Sequence, residues 1–263
     1  MNMSTKLAPI FLALTINSAY ADTNSEFNFV AIDGTDPSDR VEIIPNGFTQ
    51  RIGRLELSNG SVCTATLIAE NLILTADHCT ENEDLTTRPP EDFTFYAGYS
   101  HGEYVAVSTV TEVMAPHDTS ADAPILNQSD IKYSFNDIAI LVLEQPLGEV
   151  LGYETVRIEP LPETLNGEPF DAVQIGFNRE YGRVMTGDVE CSLSAHFLNP
   201  YVLSSFCKVG PMDSGSPQFV WLENANTGEI ERQIVGVTSR SISYGSMATP
   251  TYQSPIIQNL SLK

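Results

Sequence analysis

Apolar and polar positions along the chain alternate in short runs. The clearest are "RIGRLEL", "ATLIAENLILTA", "FTFYAG", "YVAVSTVTEVM", "DIAILVL", "AVQIGF", "RQIVGVTS" and "TYQSPII". Their period is nearer 2 than 3.6, and Val, Ile, Thr, Tyr and Phe dominate them, so each reads as a β-strand. Turn-forming stretches such as "SNGS", "NGEP" and "NTGE" separate many of the runs. Long amphipathic helical patterns are missing, which predicts an all-β chain of the sandwich or barrel kind. The stretch "LEQPLGEVLGYETVRIEPLPETLNGEPF", with its prolines, reads as a connector between two β halves.

One apolar run departs from this alternation. Lys6 precedes "LAPIFLALTI", and "SAYA" then places small residues at Ala19 and Ala21. That order is the one a secretory signal peptide shows, with cleavage expected after Ala21. The run is too short to span a bilayer, and no later segment reaches about 18 uninterrupted apolar residues. Residues 1–21 are therefore expected to leave, and the protein to act outside the cytoplasm, in the periplasm or the medium, with no membrane attachment.

Composition narrows the partners. In a chain of 263 residues, 42% hydrophobic residues suffice for a substantial core. A formal net charge of -21 repels nucleic-acid phosphates and anionic lipid alike. Export makes the four cysteines candidates for disulfides. They allow three connectivities; the sequence-local pairs, Cys63 with Cys79 and Cys191 with Cys207, are expected, each closing a loop that is worth about 3 kcal/mol. Zinc is the competing reading, but neither pair has Cys-x2-Cys spacing or a flanking histidine pair. No metal or cofactor is assigned. The acidic stretch "ENEDLTTRPPED" offers oxygen ligands in no ordered spacing and reads as solvated surface.

Three short motifs carry chemistry. Ser214 lies in "MDSGSP" among small residues suited to a tight turn. A serine nucleophile needs a base to take its proton, and that base an orienting carboxylate. Of four histidines, His78 ends a strand-like run in "LILTADHC" beside a cysteine that can fix its backbone, whereas His101, His117 and His196 read as loop residues. Asp137 directly precedes the apolar run of "NDIAILVL". A carboxylate partly buried there needs a partner, and an imidazole N–H would serve.

"LTADHC", "NDIAILVL" and "MDSGSP" come in the order His, Asp, Ser, and together they resemble the chymotrypsin/trypsin-like serine endopeptidases. The similarity runs from about Val41 to the C-terminus and takes in "SNGSVCTATLI", "VQIGFNREYG", "SSFCK" and "IVGVTS". It implies two six-stranded antiparallel β-barrels, at about 41–150 and 155–263, with a short C-terminal helix and a catalytic cleft between the barrels. It further implies Ser214 as nucleophile, His78 as base, and Asp137 as the carboxylate that orients it, supported by Ser239. Met212 and Ser214 would supply the backbone oxyanion hole. The substrate would be a protein or peptide, met by a monomer. The same resemblance suggests a propeptide over 22–40, cut between Arg40 and Val41, so that the new amino group of Val41 pairs with Asp213.

Several positions depart from the family pattern. Met212 stands where glycine is usual, and its side chain is expected to disfavour the backbone geometry of the hole. Ser216 replaces the motif's second glycine, as in the glutamyl-endopeptidase-like branch. Asp77 precedes His78 where alanine is common, and Glu42 and Ile43 follow Val41 where the usual continuation is Val-Gly-Gly. Only six residues separate Cys207 from Ser214, which shortens the base of the specificity pocket and leaves no aspartate there to prefer Arg or Lys. Lys208 nearby reads as a surface residue. Two functions are thus in view: a secreted serine endopeptidase, or a weak or inactive homologue acting as a binding or regulatory module. An α/β-hydrolase esterase is excluded, because its elbow requires glycine at position 212 and its serine precedes its histidine.

Overall fold

The computed structural model describes residues 28–31, 40–84, 86–115, 136–161, 169–182, 184–195, 202–224, 227–242 and 245–260. The expected signal segment, most of the expected propeptide, His117 and His196 lie outside them. The first barrel is built from β3 (Ile52–Leu57), β4 (Val62–Leu67), β5 (Leu72–Thr75), β6 (Phe93–Ala97), β7 (Ala106–Met114) and β8 (Ala139–Leu143). These close in the order β3-β4-β5-β8-β7-β6, every pair antiparallel. Inward residues such as Leu55, Leu67, Ile73, Phe93, Phe95 and Ile140 are fully or almost fully buried. That is the consequence of the period-2 pattern when a sheet closes on itself.

The second barrel comprises β9 (Phe170–Phe177), β10 (Met185–Ala195), β11 (Leu203–Ser205), β12 (Pro217–Glu223), β13 (Ile230–Ile242) and β14 (Gly245–Pro250). The order β10-β11-β14-β13-β12-β9 closes through the pairing of β10 with β9. Two further strands, β1 (Asn28–Ala31) and β2 (Val41–Ile44), extend this sheet from the N-terminal half of β10. The fold is thus the expected pair of antiparallel barrels.

The sequence pattern misses some elements and misreads one. Strands β10, β11 and β14 are rich in Ser, Thr, Gly and Ala, so their alternation is weak, and β12, "PQFVWLE", opens on proline with buried residues on both faces; tertiary pairing specifies all four. "TYQSPII" does not form a strand. It makes a 3₁₀ turn, Thr251–Gln253, followed by α2 (Pro255–Leu260), the expected C-terminal helix. Proline at the first helical position needs no N–H partner there, and the Gln258 amide donates to the Ser254 carbonyl to close the first turn.

The connector contains α1 (Leu147–Leu151) and then a buried carboxylate that ties the halves together. Glu154, 3% exposed, accepts from Arg51 at 2.7 Å on the first-barrel side and from Arg232 of β13 at 2.9 and 3.2 Å. The Arg232 guanidinium also lies over the Phe48 ring, which meets Phe219 edge-to-face. Both disulfides have the sequence-local pairing, Cys63 with Cys79 and Cys191 with Cys207. Replacing both Cys63 and Cys79 by serine should lower the unfolding free energy by about 3 kcal/mol, read as a lower midpoint in urea at constant pH.

Candidate active site

His78 sits in a 3₁₀ turn, Asp77–Thr80, immediately after β5. The turn is pinned from three directions. The Cys79 amide donates to the Ala76 carbonyl, the Thr80 hydroxyl donates to the Asp77 carbonyl, and the disulfide joins Cys79 to β4. Asp137 precedes β8, which pairs with β5, so strand register delivers the carboxylate to the histidine. The His78 Nδ1 atom lies 2.8 Å from Asp137 Oδ2 and 3.0 Å from Oδ1, while the His78 backbone N–H donates to Oδ1 at 2.9 Å. On the other side of the ring, Nε2 is 2.8 Å from Ser214 Oγ.

Ser239 completes the line, donating from Oγ to Asp137 Oδ2 at 2.5 Å. It lies where the β13–β14 register shifts between Thr238 and Arg240, and such an irregularity re-aims a side chain. With Asp137 only 4% exposed, each of these donors offsets the cost of burying its charge. Desolvation disfavours the His78 imidazolium, but the neighbouring Asp137 charge and hydrogen bond, with Glu81 and Asp77, outweigh it and raise the histidine's pKa above its ordinary value.

Ser214 is carried on a turn suspended between the barrels. Its carbonyl accepts from Thr64 N–H of β4 at 2.8 Å, and Thr64 Oγ1 donates to the Met212 carbonyl at 3.1 Å. On the second-barrel side, Gly215 N–H donates to the Thr238 carbonyl at 2.9 Å. Gly215 has φ of 85°, and a Cβ there would lie 2.1 Å from the Thr64 carbonyl oxygen, so only glycine fits.

Met212 also takes a positive φ, 85°. Its side chain does not prevent the left-handed geometry; a turn enforces it. Asp213 N–H donates to the Gly210 carbonyl at 3.1 Å, with Pro211 and Met212 between them, as in a type II turn whose third residue needs φ > 0. Outward anchoring then orients two amides. The Pro211 carbonyl accepts from Arg179 N–H and the Asp213 carbonyl from Ser216 N–H, both at 2.9 Å. Across a trans peptide the N–H points opposite to the C=O. The N–H groups of Met212 and Ser214 therefore face away from those anchors, and neither donates to an acceptor among the described residues.

Asp213 is fully buried and accepts four hydrogen bonds, from Arg40 Nη2 at 3.0 Å, Gln174 Nε2 at 3.1 Å, Asn178 Nδ2 at 2.9 Å and Gly210 N at 2.8 Å. The expected activation pairing concerns a cleaved chain; in the intact chain another cation holds this carboxylate. Val41 lies inside β2, paired with Ala31 and Gly187, and the cation at Asp213 is the Arg40 guanidinium rather than an amino group of Val41. Sequence reasoning also missed the roles of Thr64, Gln174 and Asn178, although they lie within "SNGSVCTATLI" and "VQIGFNREYG". His101 is far from this work: its ring nitrogen meets Glu42 at 2.8 Å on the surface.

The fold and this hydrogen-bonded His-Asp-Ser line define a double-barrel hydrolase architecture. The trypsin family model matches residues 46–258, and the chain belongs to that family. A search of curated proteins returns no match. Among solved structures, a "Glu endopeptidase in complex with MPD" is similar at 22% identity and a TM-score of 0.62, over 89% of this chain and 98% of that one. The protease Anisep from Arthrobacter nicotinovorans is similar at 20% identity and a TM-score of 0.55, over 81% and 94% of the two chains. At these identities the likeness concerns the fold.

Two predictions follow from the site's electrostatics and backbone. Asp77 is buried beside Asp137 and Glu81, and desolvation first, then those charges, lift its pKa to about 7. Its unfolded value is 3.8, so the native state holds a proton that the unfolded state releases, and Asp77 costs stability progressively as pH rises from about 4 through about 7. Asp77→Asn should raise the melting temperature at pH 8 but not at pH 4. The same change removes a charge that raises the His78 pKa, so the acid limb of the activity profile should move to lower pH. At position 212, Met212→Gly should leave kcat within a few-fold. Met212→Val, a β-branched residue forced to φ > 0, should lower it by roughly 10²-fold, the loss typical of one missing oxyanion donor.

Proposed function

We propose that the protein is a secreted serine endopeptidase that cleaves peptide bonds through an acyl-enzyme. The observation that carries this reading is the unbroken line Ser239–Asp137–His78–Ser214, with every link at hydrogen-bond distance. Ser214 Oγ attacks the scissile carbonyl carbon as His78 Nε2 takes its proton. Asp137 holds the Nδ1–H tautomer and stabilises the imidazolium that forms. The carbonyl oxygen, now an anion, receives the N–H groups of Met212 and Ser214. Collapse expels the amine, which leaves with the proton from His78, and an ester joins the acyl group to Ser214. Water then attacks that ester with His78 again as base, and the acid product departs.

Secretion rests on the signal-like pattern over 1–21 and on the two disulfides, which persist in oxidising compartments. Among the described residues no helix is long and apolar enough to cross a membrane. The inactive-homologue reading rested on Met212 and on the missing activation consensus. The positive φ of Met212 and the cation at Asp213 support the active reading over it.

Labelling by a fluorophosphonate probe tests the proposal. Wild type should react and Ser214→Ala should not, and peptide hydrolysis should fall about 10⁶-fold in kcat for Ser214→Ala or His78→Ala. An unreactive wild type, or full activity in His78→Ala, would overturn it.

A further inference from the structure

We infer that Arg40, still covalently joined to Val41, is the cation that sets the nucleophile turn, so that cleavage between Arg40 and Val41 is not the activating step. This inference rests on the serine-endopeptidase reading and assigns Arg40 a positioning role within it.

The guanidinium is held as a built part of the site. At 2% exposure, Arg40 donates from Nε to Thr186 Oγ1 at 3.1 Å, and from Nη1 to Gln174 Oε1 at 2.7 Å and to the Lys208 carbonyl. From Nη2 it reaches Thr186 Oγ1 at 2.8 Å, the Thr186 carbonyl at 3.2 Å and Asp213 Oδ1 at 3.0 Å. No guanidinium nitrogen lacks an acceptor, a fit that Lys could not reproduce with a single ammonium. Through these bonds Arg40 touches both the carboxylate next to the nucleophile and the backbone that leads into the turn. Gln174 extends the contact, because its oxygen accepts from Arg40 while its nitrogen donates to Asp213.

Geometry argues against the alternative of a freed Val41. The Val41 backbone is paired on both sides, with Ala31 of β1 and Gly187 of β10, and the residue is 3% exposed. The Arg40 guanidinium, not the backbone of Val41, is what meets the Asp213 carboxylate. An amino terminus at Val41 could reach the carboxylate only by giving up its strand pairings and expelling the guanidinium. A protease selective for Arg would, in turn, have to extract that buried side chain before it could cut. Any trimming of the N-terminus compatible with this packing therefore falls upstream of Arg40.

Three measurements decide the matter. First, the mass of the fluorophosphonate-labelled species from the secreted protein should include Arg40; labelled protein beginning only at Val41 overturns the inference. Second, Arg40→Gln should lower kcat by roughly 10²-fold, as for a lost oxyanion donor, with a much smaller change in KM. Millimolar methylguanidinium should restore part of the loss in Arg40→Gly, which general destabilisation would not allow. A folded Arg40→Gln with wild-type kcat overturns the inference. Third, hydrogen exchange of amides 210–216 is read in Ser214→Ala, where activity plays no part. Adding Arg40→Gln, or Arg40→Lys if the glutamine variant does not fold, should accelerate exchange there, and an unchanged rate counts against the inference. This third arm keeps its meaning even if wild type fails to label, a result that would instead sink the endopeptidase reading.

Discussion

The structure depends on how one turn is suspended between two barrels. Residues 210–216 belong to neither barrel's ladder, yet Ser214 must stay within hydrogen-bond reach of a histidine on the first. The chain solves this with backbone bonds to both sides: Thr64 N–H of β4 holds the Ser214 carbonyl, and the Thr238 carbonyl of β13 holds the Gly215 amide. Both anchors lie beside another functional group. Thr64 follows Cys63, whose disulfide fixes the His78 turn, and Thr238 precedes Ser239, which supports Asp137. A displacement of either barrel would therefore move the nucleophile and its partners together. Glu154, bonded to arginines from both sides, opposes that displacement.

The buried carboxylates show how charge is managed in so acidic a protein. Asp137, Glu154 and Asp213 each meet a cationic or ring N–H donor, and each holds elements that are distant in sequence. Burial still pushes the Asp213 carboxyl above its ordinary range, against the pull of Arg40 and the surrounding amides. Asp188 is pushed up by burial too, and the Lys208 amide it accepts from pulls the other way. Asp77 alone of these has like charges as its strongest electrostatic neighbours and a hydroxyl as its only side-chain hydrogen-bond partner, so it holds its proton to near neutrality. A group of that kind beside the histidine makes the site sensitive to pH near neutrality.

Much of this was legible in the sequence, for reasons that differ between elements. Strands β3 and β6 announced themselves by alternation, β5 and β8 as short apolar runs, and β4, β7, β9 and β13 by their Val, Ile, Phe or Thr residues. Strands β10, β11 and β14 face inward with Thr, Ser and small residues at many positions, so the alternation that marks a strand disappears. The His-Asp-Ser set was legible because its motifs are local and stand in a fixed order. The Arg40–Asp213 pair was not, since 173 residues separate its members and nothing in "DRVEI" tells a side chain that turns inward from a cleavage site. The same stretch supports both readings until the register of β2 against β10 is known.

The short segment between Cys207 and Ser214 then acquires a physical account. Six residues must leave the disulfide, cross to the seam and form the turn, with no length to spare for a ladder of their own. Their backbone groups are satisfied by side chains instead: Asp188 accepts from the Lys208 amide, Arg40 donates to the Lys208 carbonyl, and Asp213 accepts from the Gly210 amide. Arg179 N–H takes the Pro211 carbonyl, and Asn178 lies against Gly210 while donating to Asp213. A buried backbone segment that lacks such partners would not persist. Arg40 thus meets two needs at once, neutralising the carboxylate beside the nucleophile and capping the lead-in to it. An α-amino group could meet the first, but it lacks the reach and planar fork to meet the second. The brevity of the lead-in and the choice of a guanidinium are two sides of one constraint.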